Sequence, residues 1–471
     1  MTPISISHNR EVFWDDYLID TEKTTAFHSL MHPEKKDYCF IFDQGYEPNA
    51  VTYPCIVKDE RGYKMYYLAS YISPTEHGGP PRSYEAVIES TDGIHWTRPN
   101  LNLFDHPELT ENNVVVNHIN DGLCVFYDTN PNCPPEERYK AIGQMLRPEN
   151  GTYVRELWSH TSPDGYHFAE PRFVTDKGSF DSLNTVFWKD GRYICYIRHL
   201  RPDHTGEGII RDVSVMYSED FQNWTDPMPL KYKDDVDYQL YTNNIFPYDW
   251  GHNRLIGLPM RYCERSEWNE NCDLFASTVI KKRASEENAP RVGIAVTDCL
   301  FMTSYDGETW TRYQEAFLTP GIETPHNWVY GDAELAYRLI DSGQGTYHLY
   351  GIDFTLTYGQ PRQLMRYEIR HDGFACMAAD HIQREVITKP LTFTGSTLHL
   401  NFETSAFGSI YVDVLNEDGQ PISPTSFEVY GNSLDRPVRF QDGTDFAPFA
   451  NQPVRLRFKM LEAKLYSMWL T

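Results

Sequence analysis

The sequence has little that would take it into a membrane or through a secretion pathway. Its 471 residues contain no apolar run of about 18 residues, the length that a membrane-spanning helix needs. The first residues, Met1-Thr-Pro-Ile-Ser-Ile-Ser-His8, lack a basic segment followed by an apolar one, so we expect no secretory signal and a cytoplasmic location. None of the 9 cysteines forms a C-x-x-C pair. Cys263 and Cys272 flank a polar loop and are the one pair placed for a disulfide, which a reducing compartment disfavours.

Positive charge is also scarce. The chain has 42 Lys and Arg against 67 Asp and Glu, a formal net charge of −25. Such a field repels nucleic-acid phosphates and anionic membrane surfaces, so neither is an expected partner. A polyanionic substrate is disfavoured for the same reason. A neutral small molecule or oligosaccharide fits the charge balance better.

Motifs for metals and cofactors are missing as well. The sequence has no His-Glu-x-x-His, no paired cysteines, no Asp-rich calcium loop, no phosphate-binding Gly-rich loop and no nucleophile elbow. We therefore expect no catalytic metal and no required cofactor. A structural cation in a central channel stays open, as does a homo-oligomer.

Helix periodicity is weak throughout, whereas a hairpin motif recurs along the chain. The motif combines an Asp, usually followed by Gly, with an aromatic residue four positions after the Asp, or two positions after it in the weakest copy. Asp caps its own turn, Gly supplies a positive φ and the aromatic ring packs on the neighbouring sheet. The copies are Thr91-Asp-Gly-Ile-His-Trp96, Ser162-Pro-Asp-Gly-Tyr-His-Phe168, Ser218-Glu-Asp-Phe-Gln-Asn-Trp224, Ser304-Tyr-Asp-Gly-Glu-Thr-Trp310 and the weaker His371-Asp-Gly-Phe374.

Strand patterns precede each copy, as in Val51–Val57, Gly62–Tyr67 and Glu85–Ser90 of the first unit. Five units of about four strands with few helices predict an all-β fold, a five-bladed β-propeller over residues 1–385. A tandem array of sandwiches is the alternative. Residues 386–471 alternate in short strands and polar turns, which predicts a C-terminal antiparallel β-sandwich. That domain either braces the propeller or binds glycan itself.

In a propeller, functional groups collect where the first strand of each blade enters the central pocket. The sequence places a carboxylate near that point in four of the five predicted blades. The candidates are Glu47 and Asn49, His118 and Asp121, Asp181, then Tyr241, Asn243 and Asn244, and finally Asp332 and Glu334. Each carboxylate taken alone could equally be a turn cap. Their convergence is the strongest functional signal in the chain.

Convergent carboxylates suit glycoside hydrolysis, in which one protonated acid assists the leaving oxygen and one ionised acid activates water or attacks the sugar. Repulsion and burial push their pKa values apart. We expect Glu47, Asp181 and Glu334 to be catalytic, with Asp121 and His118 tuning them. Asn49, Tyr241, Asn243, Arg261 and Trp328 are expected to hold the sugar, although Arg261 could be a salt-bridge partner and Trp328 a core residue.

The chain resembles the five-bladed propeller glycoside hydrolases, the superfamily of invertases, levansucrases and arabinanases, over roughly residues 10–385. It is most similar to an uncharacterised bacterial group related to family 32. The residues shared with that group are Phe13-Trp-Asp-Asp-Tyr-Leu-Ile-Asp20, Asp128-Thr-Asn-Pro-Asn-Cys-Pro-Pro-Glu-Glu-Arg-Tyr-Lys140, Phe180-Asp-Ser-Leu-Asn184, Leu240-Tyr-Thr-Asn-Asn244 and Thr388-Lys-Pro-Leu-Thr-Phe393.

The resemblance implies three acids on the first three blades: a base or nucleophile, a stabiliser of the oxocarbenium-like state and a general acid. Carried over by position, these would be Glu47, Asp121 and Asp181. The invertase Trp-Met-Asn-Asp-Pro-Asn-Gly element is replaced here by Tyr46-Glu-Pro-Asn49, and the blade-two Arg-Asp-Pro is missing. Glu334 could therefore supply an acid that the usual triad lacks.

The sequence thus predicts an exo-acting glycosidase for a short neutral oligosaccharide with a terminal furanose, of the fructo- or arabinofuranoside type. Two other classes stay open. A phosphorylase or transglycosylase would need a basic subsite, for which Arg198, Arg211 and Arg261 are candidates. A non-catalytic glycan-binding propeller would not depend on the acids for affinity.

Overall fold

A computed structural model describes residues 2–6, 9–47, 50–71, 82–104, 111–117, 121–249, 253–275, 281, 294–324, 327–353 and 361–471. Within these ranges the regular secondary structure is almost all β-strand, with one short α-helix at Glu270–Phe275 and two 3-10 turns at Pro135–Glu137 and Ala447–Phe449. No helix in the described part of the chain has the length and apolar character needed to cross a membrane.

The chain divides into two compact units. One comprises Met1–His32, Tyr248–Arg254 and Ile369–Thr471, and the other comprises Pro33–Pro247 and Leu255–Glu368. The predicted boundary between residues 385 and 386 falls inside the first unit. The assignment of residues 1–385 to one domain and 386–471 to another stays a prediction.

The larger unit contains five antiparallel sheets of four principal strands, in chain order, as expected for a five-bladed propeller. Blade one is Ala50–Asp59, Gly62–Tyr71, Arg82–Ser90 and Val114–Val116; blade two is Asp121–Tyr127, Tyr139–Glu149, Thr152–Ser162 and Arg172–Thr175; blade three is Thr185–Lys189, Arg192–Pro202, Ile209–Ser218 and Met228–Pro229; blade four is Ile245–Pro247, Leu255–Gly257, Met302–Ser304 and Thr309–Arg312; blade five is Ile340–Asp341, Thr346–Asp353, Arg362–Arg370 and Glu34–Phe42.

Blade four carries additional strands. Lys231–Tyr232 pairs in parallel with its outer strand, Thr309–Arg312. Gln239–Leu240, Met260–Glu264 and Ala295–Cys299 form a separate three-stranded sheet. In the sequence these strands adjoin the first, second and third strands of blade four, respectively. Two paired strands of this sheet, Met260–Glu264 and Ala295–Cys299, are thus 30 residues apart in the sequence.

Hydrogen bonds between neighbouring blades establish the ring. Between blades one and two, Cys55 Sγ donates to the Val125 carbonyl at 3.1 Å. Between blades three and four, Thr185 Oγ1 donates to Asn243 Oδ1 at 2.6 Å. The ring closes between blades five and one, where the Tyr337 amide donates to the Pro54 carbonyl at 2.8 Å. Between blades two and three, Tyr193 Oη donates to Asp128 Oδ2 at 2.7 Å. Between blades four and five, Asn244 Nδ2 donates to the Leu335 carbonyl.

Blade five takes its last strand from the N-terminal part of the chain, since Glu34–Phe42 pairs antiparallel with Arg362–Arg370. This strand removes a free edge that the fifth sheet would otherwise expose. The sequence reasoning assigned no strand to residues 34–42. The pairing partner lies more than 300 residues away in the sequence, and no local pattern marks it.

The repeated hairpin motif has the structure predicted for it. In blade one, Ser90 Oγ accepts from Gly93 N at 2.8 Å, and Asp92 Oδ1 accepts from Ile94 N and His95 N at 2.8 Å each. The same bonds recur in the next three blades around Ser162 and Asp164, Ser218 and Asp220, and Ser304 and Asp306. Phe221 takes the glycine position in blade three at a φ of 65°.

The smaller unit is an antiparallel β-sandwich built around two long strands, Leu398–Leu415 and Arg455–Leu470. Its other strands are Phe27–Leu30, Ala375–Ala379, Asn432–Pro437, Glu11–Val12 and Arg384–Ile387, with the parallel pair Ile4–Ser5 and Leu391–Thr392. Alternate residues of the long strands, such as Val412, Val414, Leu456 and Phe458, are fully buried in one apolar core. The fold is therefore all-β, as the sequence predicts.

Asp372, the weakest copy of the hairpin motif, has a different role in this unit. Its buried carboxylate accepts hydrogen bonds from Tyr248 Oη at 2.7 Å, Asn401 Nδ2 at 3.2 Å and Ser467 Oγ at 2.5 Å. Arg10 Nη1 forms an ion pair with it at 3.0 Å. Asp372 therefore joins distant segments of the sandwich.

All nine cysteines are free, including Cys263 and Cys272. Cys55, Cys124 and Cys195 are fully buried within the first or second strands of their blades. They pack as small apolar side chains.

Candidate active site

Three of the predicted acids lie at one site on the larger unit: Asp121, Asp181 and Glu334. The negative charge of Asp181 acts on the Asp121 carboxyl. Asp121 and Glu334 both act on the phenol of Tyr53, which lies between them. These acids come from blades two, three and five, and their assignment as catalytic residues stays a prediction.

Asp121 is the first residue of the inner strand of blade two. Gln144 lies opposite it on the neighbouring strand, and Gln144 Nε2 donates to Asp121 Oδ2. Burial, followed by the charge of Asp181, raises the pKa of Asp121 to about 7. Two nearby guanidinium groups, of Arg155 and Arg198, oppose this shift. Asp121 therefore exchanges its proton near neutral pH.

Glu334 precedes blade five and is 3% exposed. Its Oε1 accepts a hydrogen bond from the Tyr53 backbone amide at 3.2 Å. Burial raises the pKa of Glu334 to about 8, and the Tyr53 amide offsets only part of that increase. At neutral pH the carboxyl group is therefore mostly protonated, which is the form that a general acid requires.

Asp181 lies in the loop before blade three and is the most exposed of the three acids, with 44% of its side chain accessible. Arg155 Nη2 lies 3.6 Å from its Oδ1. Phe180, the preceding residue, is fully buried at a φ of 53°. An anchored ring beside the acid fixes the direction in which the loop presents Asp181.

Tyr53, Tyr241 and Tyr330 form an aromatic wall beside the acids. The rings of Tyr241 and Tyr330 meet edge to face at 5.4 Å. Burial raises the pKa of Tyr241, while the Arg198 guanidinium and hydrogen bonds from Tyr330 and Tyr53 lower it. Arg198 is itself buried, lies 4.6 Å from the centre of the Tyr241 ring and donates to the Tyr241 carbonyl. The wall therefore offers phenol hydroxyls and a cation close to the three acids.

The backbone at Tyr53 is strained. Its φ is 57°, which is unusual for a bulky residue, and the pairing register of its strand shifts between Thr52 and Cys55. This bulge turns the Tyr53 amide toward Glu334. Gly122 makes room for the ring, because a Cβ at that position would lie 2.7 Å from the Tyr53 Cβ. Strain of this kind collects at functional sites.

Gly122→Ala is therefore expected to displace Tyr53 and to disturb Glu334 through the lost amide hydrogen bond. We expect a loss of stability of about 1–3 kcal/mol, together with a loss of turnover. Chemical denaturation and kcat would be measured side by side. Gly45→Ala is the matched control, because a Cβ at Gly45 meets nothing within 4 Å. Full activity and stability in Gly122→Ala would contradict the packing described here.

Glu47 is not brought to the other acids. Its buried carboxylate accepts hydrogen bonds from Tyr67 Oη at 2.5 Å and Gln44 N at 2.9 Å, and forms an ion pair with Arg98 at 3.0 Å. In the described part of the chain, no hydrogen bond or ion pair links Glu47 to Asp121, Asp181 or Glu334. Burial raises the pKa of Glu47, and Arg98 opposes the shift.

Three predicted sugar-binding residues are engaged elsewhere. Asn243 uses its whole amide within the protein, accepting from Thr185 and Ile245 and donating to two backbone carbonyls. Arg261 forms a two-point ion pair with Asp298. Trp328 lines a separate cavity described below. Asn49 and His118 lie outside the described residues. Among the predicted sugar-binding residues that the structure describes, only Tyr241 lies beside the acids.

Asp332, also named from the sequence, holds a turn. Its Oδ2 accepts from the Val329 amide at 2.9 Å, and burial raises its pKa to about 7. Thr297 Oγ1 donates to its carbonyl at 2.8 Å. These contacts fix the segment that carries Tyr330 and Glu334.

Sequence reasoning missed Tyr53, Tyr330 and Arg155. Tyr53 lies inside an apolar strand pattern, where an aromatic residue is more often core. Its positive φ has no sequence signal, because that conformation normally favours Gly or Asn. Neighbouring blades bring the three residues to the acids, and this proximity depends on the closed ring.

Within the described residues, no cluster of three or more His, Cys, Asp or Glu side chains is arranged to hold a metal ion. The groups available for chemistry are carboxyls, phenols and guanidinium groups.

The fold and the site together define the class: a five-bladed β-propeller with an acidic candidate site in which burial raises the pKa of Asp121 and Glu334. No protein-family model and no curated protein sequence matches the chain. Its fold is similar to that of solved structures at low identity.

Among these solved structures is a Bombyx mori family 32 β-fructofuranosidase solved with sucrose (11% identity, 93% of each chain, TM-score 0.40). Another is an N-acetylgalactosamine deacetylase from F. plautii solved with blood group B trisaccharide (14% identity, 73% of this chain and 96% of that chain, TM-score 0.45). A third is a glycosyl hydrolase from Bacteroides ovatus (14% identity, 77% of this chain and 97% of that chain, TM-score 0.40).

Proposed function

We propose that this protein is a glycosidase that cleaves a terminal sugar from a short neutral oligosaccharide by acid–base catalysis. The observation that carries the proposal is the pairing of two proton-holding carboxyls, Asp121 and Glu334, with the more exposed acid Asp181. Glycoside hydrolysis needs one acid in each protonation state on the two sides of the bond. At neutral pH the raised pKa of Glu334 keeps its carboxyl mostly protonated, and the pKa of Asp121, about 7, leaves part of that group ionised.

Glu334 is the proposed general acid. Its proton passes to the glycosidic oxygen as the bond to the anomeric carbon breaks, which leaves the sugar with oxocarbenium character. Asp181 faces the solvent and is the proposed base or nucleophile. Asp121 exchanges its proton near neutral pH and tunes Asp181, because the two carboxyls repel each other when both are ionised.

The aromatic wall is proposed to hold the sugar. Sugar hydroxyls both donate and accept hydrogen bonds, as the phenols of Tyr53, Tyr241 and Tyr330 do. The Arg198 guanidinium could also bond a sugar hydroxyl. Among the described residues, the one hydrogen bond that this guanidinium donates goes to the backbone carbonyl of Tyr241. A neutral substrate agrees with the net charge of −25. The furanose preference is proposed from the sequence resemblance.

A panel of aryl glycosides carrying pyranose and furanose groups tests this function. Hydrolysis of a furanoside by the wild type, and its loss in Asp181→Asn with the melting temperature kept, is the expected result. Turnover of pyranosides alone would keep the glycosidase and overturn the furanose preference. If no glycoside is turned over, with or without added phosphate, the proposal is wrong.

The phosphate arm of this assay separates hydrolysis from phosphorolysis. Of the three arginines proposed from the sequence for a phosphate subsite, Arg261 is paired with Asp298, and Arg211 donates to Gln239 Oε1 at 2.5 Å. Only Arg198 lies in contact with the aromatic wall beside the acids. We therefore expect turnover that does not depend on phosphate.

The pH dependence follows from the proton on Glu334. Because the acid must be protonated and its pKa is about 8, kcat/KM is expected to fall about tenfold per pH unit above pH 8. This limb of the profile should disappear in Glu334→Gln. A limb at the ordinary pKa of a carboxylic acid would contradict the assignment.

A further inference from the structure

A cavity lies beside blade four, and Trp328 and Val329, which precede Tyr330 of the aromatic wall in the chain, are among its lining residues. Its volume is about 600 Å³, which is the size of a typical ligand pocket. The ends of the paired strands Met260–Glu264 and Ala295–Cys299 form one wall through Arg265 and Val296, and the residues before the short helix form another. The loop that carries Trp328 forms the third.

The Trp328 side chain is held in place at this cavity. Its Nε1 donates to the Gly321 carbonyl at 2.9 Å, and its φ of 62° is unusual for so large a residue. Val329, the next residue, is buried and packs against Trp268. A strained backbone persists only where the surroundings determine it. The indole of Trp328 is therefore a fixed, half-buried platform on the cavity wall.

The cavity and the acids share one segment of chain. Trp328 lies two residues before Tyr330, whose ring meets Tyr241 of the aromatic wall at 5.4 Å and Tyr262 at 5.9 Å. Glu334 follows four residues later, and the Val329 amide is bound by Asp332. Residues 328–334 therefore connect the cavity wall to the proposed general acid.

The cavity lining suits a neutral sugar better than an anion. Its polar groups include the Ser266 hydroxyl and the Asn271 amide, while Glu267 and Glu323 outnumber the single cation Arg265. An indole face beside hydroxyl and amide groups matches a sugar, which has one apolar ring face and a rim of hydroxyls.

We propose that this cavity binds the sugar units on the leaving-group side of the cleaved bond. The inference rests on the proposed function, because Glu334 protonates the leaving oxygen and so faces that part of the substrate. Trp328 is then a specificity residue that selects oligosaccharides over substrates with a small leaving group.

The test compares Trp328→Ala with the wild type on two substrates that share the terminal sugar: the aryl glycoside turned over in the panel and an oligosaccharide of three or four units. We expect kcat/KM for the oligosaccharide to fall roughly tenfold or more, mainly through KM, with the aryl glycoside unchanged. Trp328→Phe should restore part of the loss because it keeps a ring. Asn271→Ala probes the opposite wall without touching the loop and should also act only on the oligosaccharide.

Equal losses for both substrates in Trp328→Ala, or an oligosaccharide rate that neither variant changes, would overturn the subsite. Failure of the proposed function is seen separately, as no turnover of any substrate by the wild type. In that case, calorimetric titration of the wild type and Trp328→Ala with fructo- and arabino-oligosaccharides of three units decides the subsite. Heat of binding that disappears in the variant supports it, and no binding to the wild type overturns it.

Discussion

Glu334→Gln is expected to lower kcat/KM for an oligosaccharide by about 10²–10⁴-fold, the usual contribution of a positioned general acid. The glutamine keeps the size of the side chain and can still accept the hydrogen bond from the Tyr53 amide. It has no acidic proton to give to the leaving oxygen. Steady-state kinetics on the oligosaccharide and on aryl glycosides would measure the change.

The leaving group makes this prediction specific. A dinitrophenolate leaves without protonation, so the dinitrophenyl glycoside should be cleaved by Glu334→Gln at a rate much closer to that of the wild type. Equal losses for good and poor leaving groups would show that Glu334 does not act as the acid. Glu47→Gln is the matched comparison, because Glu47 is paired with Arg98 away from these acids. Its effect should fall on stability and should not depend on the leaving group.

The free energy of unfolding shows whether Glu334→Gln loses activity because it fails to fold. The ordinary pKa of Glu is 4.5 and that of Glu334 is about 8, so between these values the folded protein holds a proton that the unfolded chain releases. The free energy of unfolding therefore falls as the pH rises across this interval, by about 1.4 kcal/mol per pH unit for this group. Glutamine carries no such proton. The variant should thus be at least as stable as the wild type at pH 8 while being nearly inactive.

The blades could be predicted from the sequence because their signals are local. In the hairpins, a Ser, an Asp and usually a Gly within four residues satisfy each other's hydrogen bonds, as around Ser90 and Asp92. The closing strand Glu34–Phe42 could not be predicted in this way. Six of its nine residues are exposed, and it becomes a strand through pairing with Arg362–Arg370.

The sequence could predict those site residues whose position depends only on where the inner strand of a blade begins. Asp121, Asp181 and Glu334 each stand just before or at the inner strand of a blade, and they meet. Glu47 satisfies the same positional rule, yet Arg98 comes from the far side of the blade-one hairpin and pairs with it. A salt-bridge partner 51 residues away is not visible in the local pattern. Position along a strand therefore predicts proximity to the axis but not the partner of the carboxylate.

The largest expected effect on stability lies in the smaller unit, at the ion pair of Arg254 and Asp15. The two side chains are 1% and 4% exposed, and both guanidinium Nη atoms donate to the carboxylate, at 2.7 and 2.9 Å. Arg254→Met is expected to lower the free energy of unfolding by about 3–5 kcal/mol, because the buried Asp15 carboxylate loses the two hydrogen bonds and the positive charge of Arg254. Urea denaturation of both proteins would measure the change.

The double variant Arg254→Met with Asp15→Leu separates the value of the pair from the cost of an unpaired charge. With both charges removed, most of the lost stability should return, because apolar groups of similar size need no desolvation. The matched control is Lys177→Met. Its partner Asp226 lies 2.5 Å away, but the two side chains are 61% and 79% exposed, so the loss should stay below about 1 kcal/mol. A double variant as unstable as Arg254→Met would mean that the pair itself, through its geometry, stabilises the sandwich.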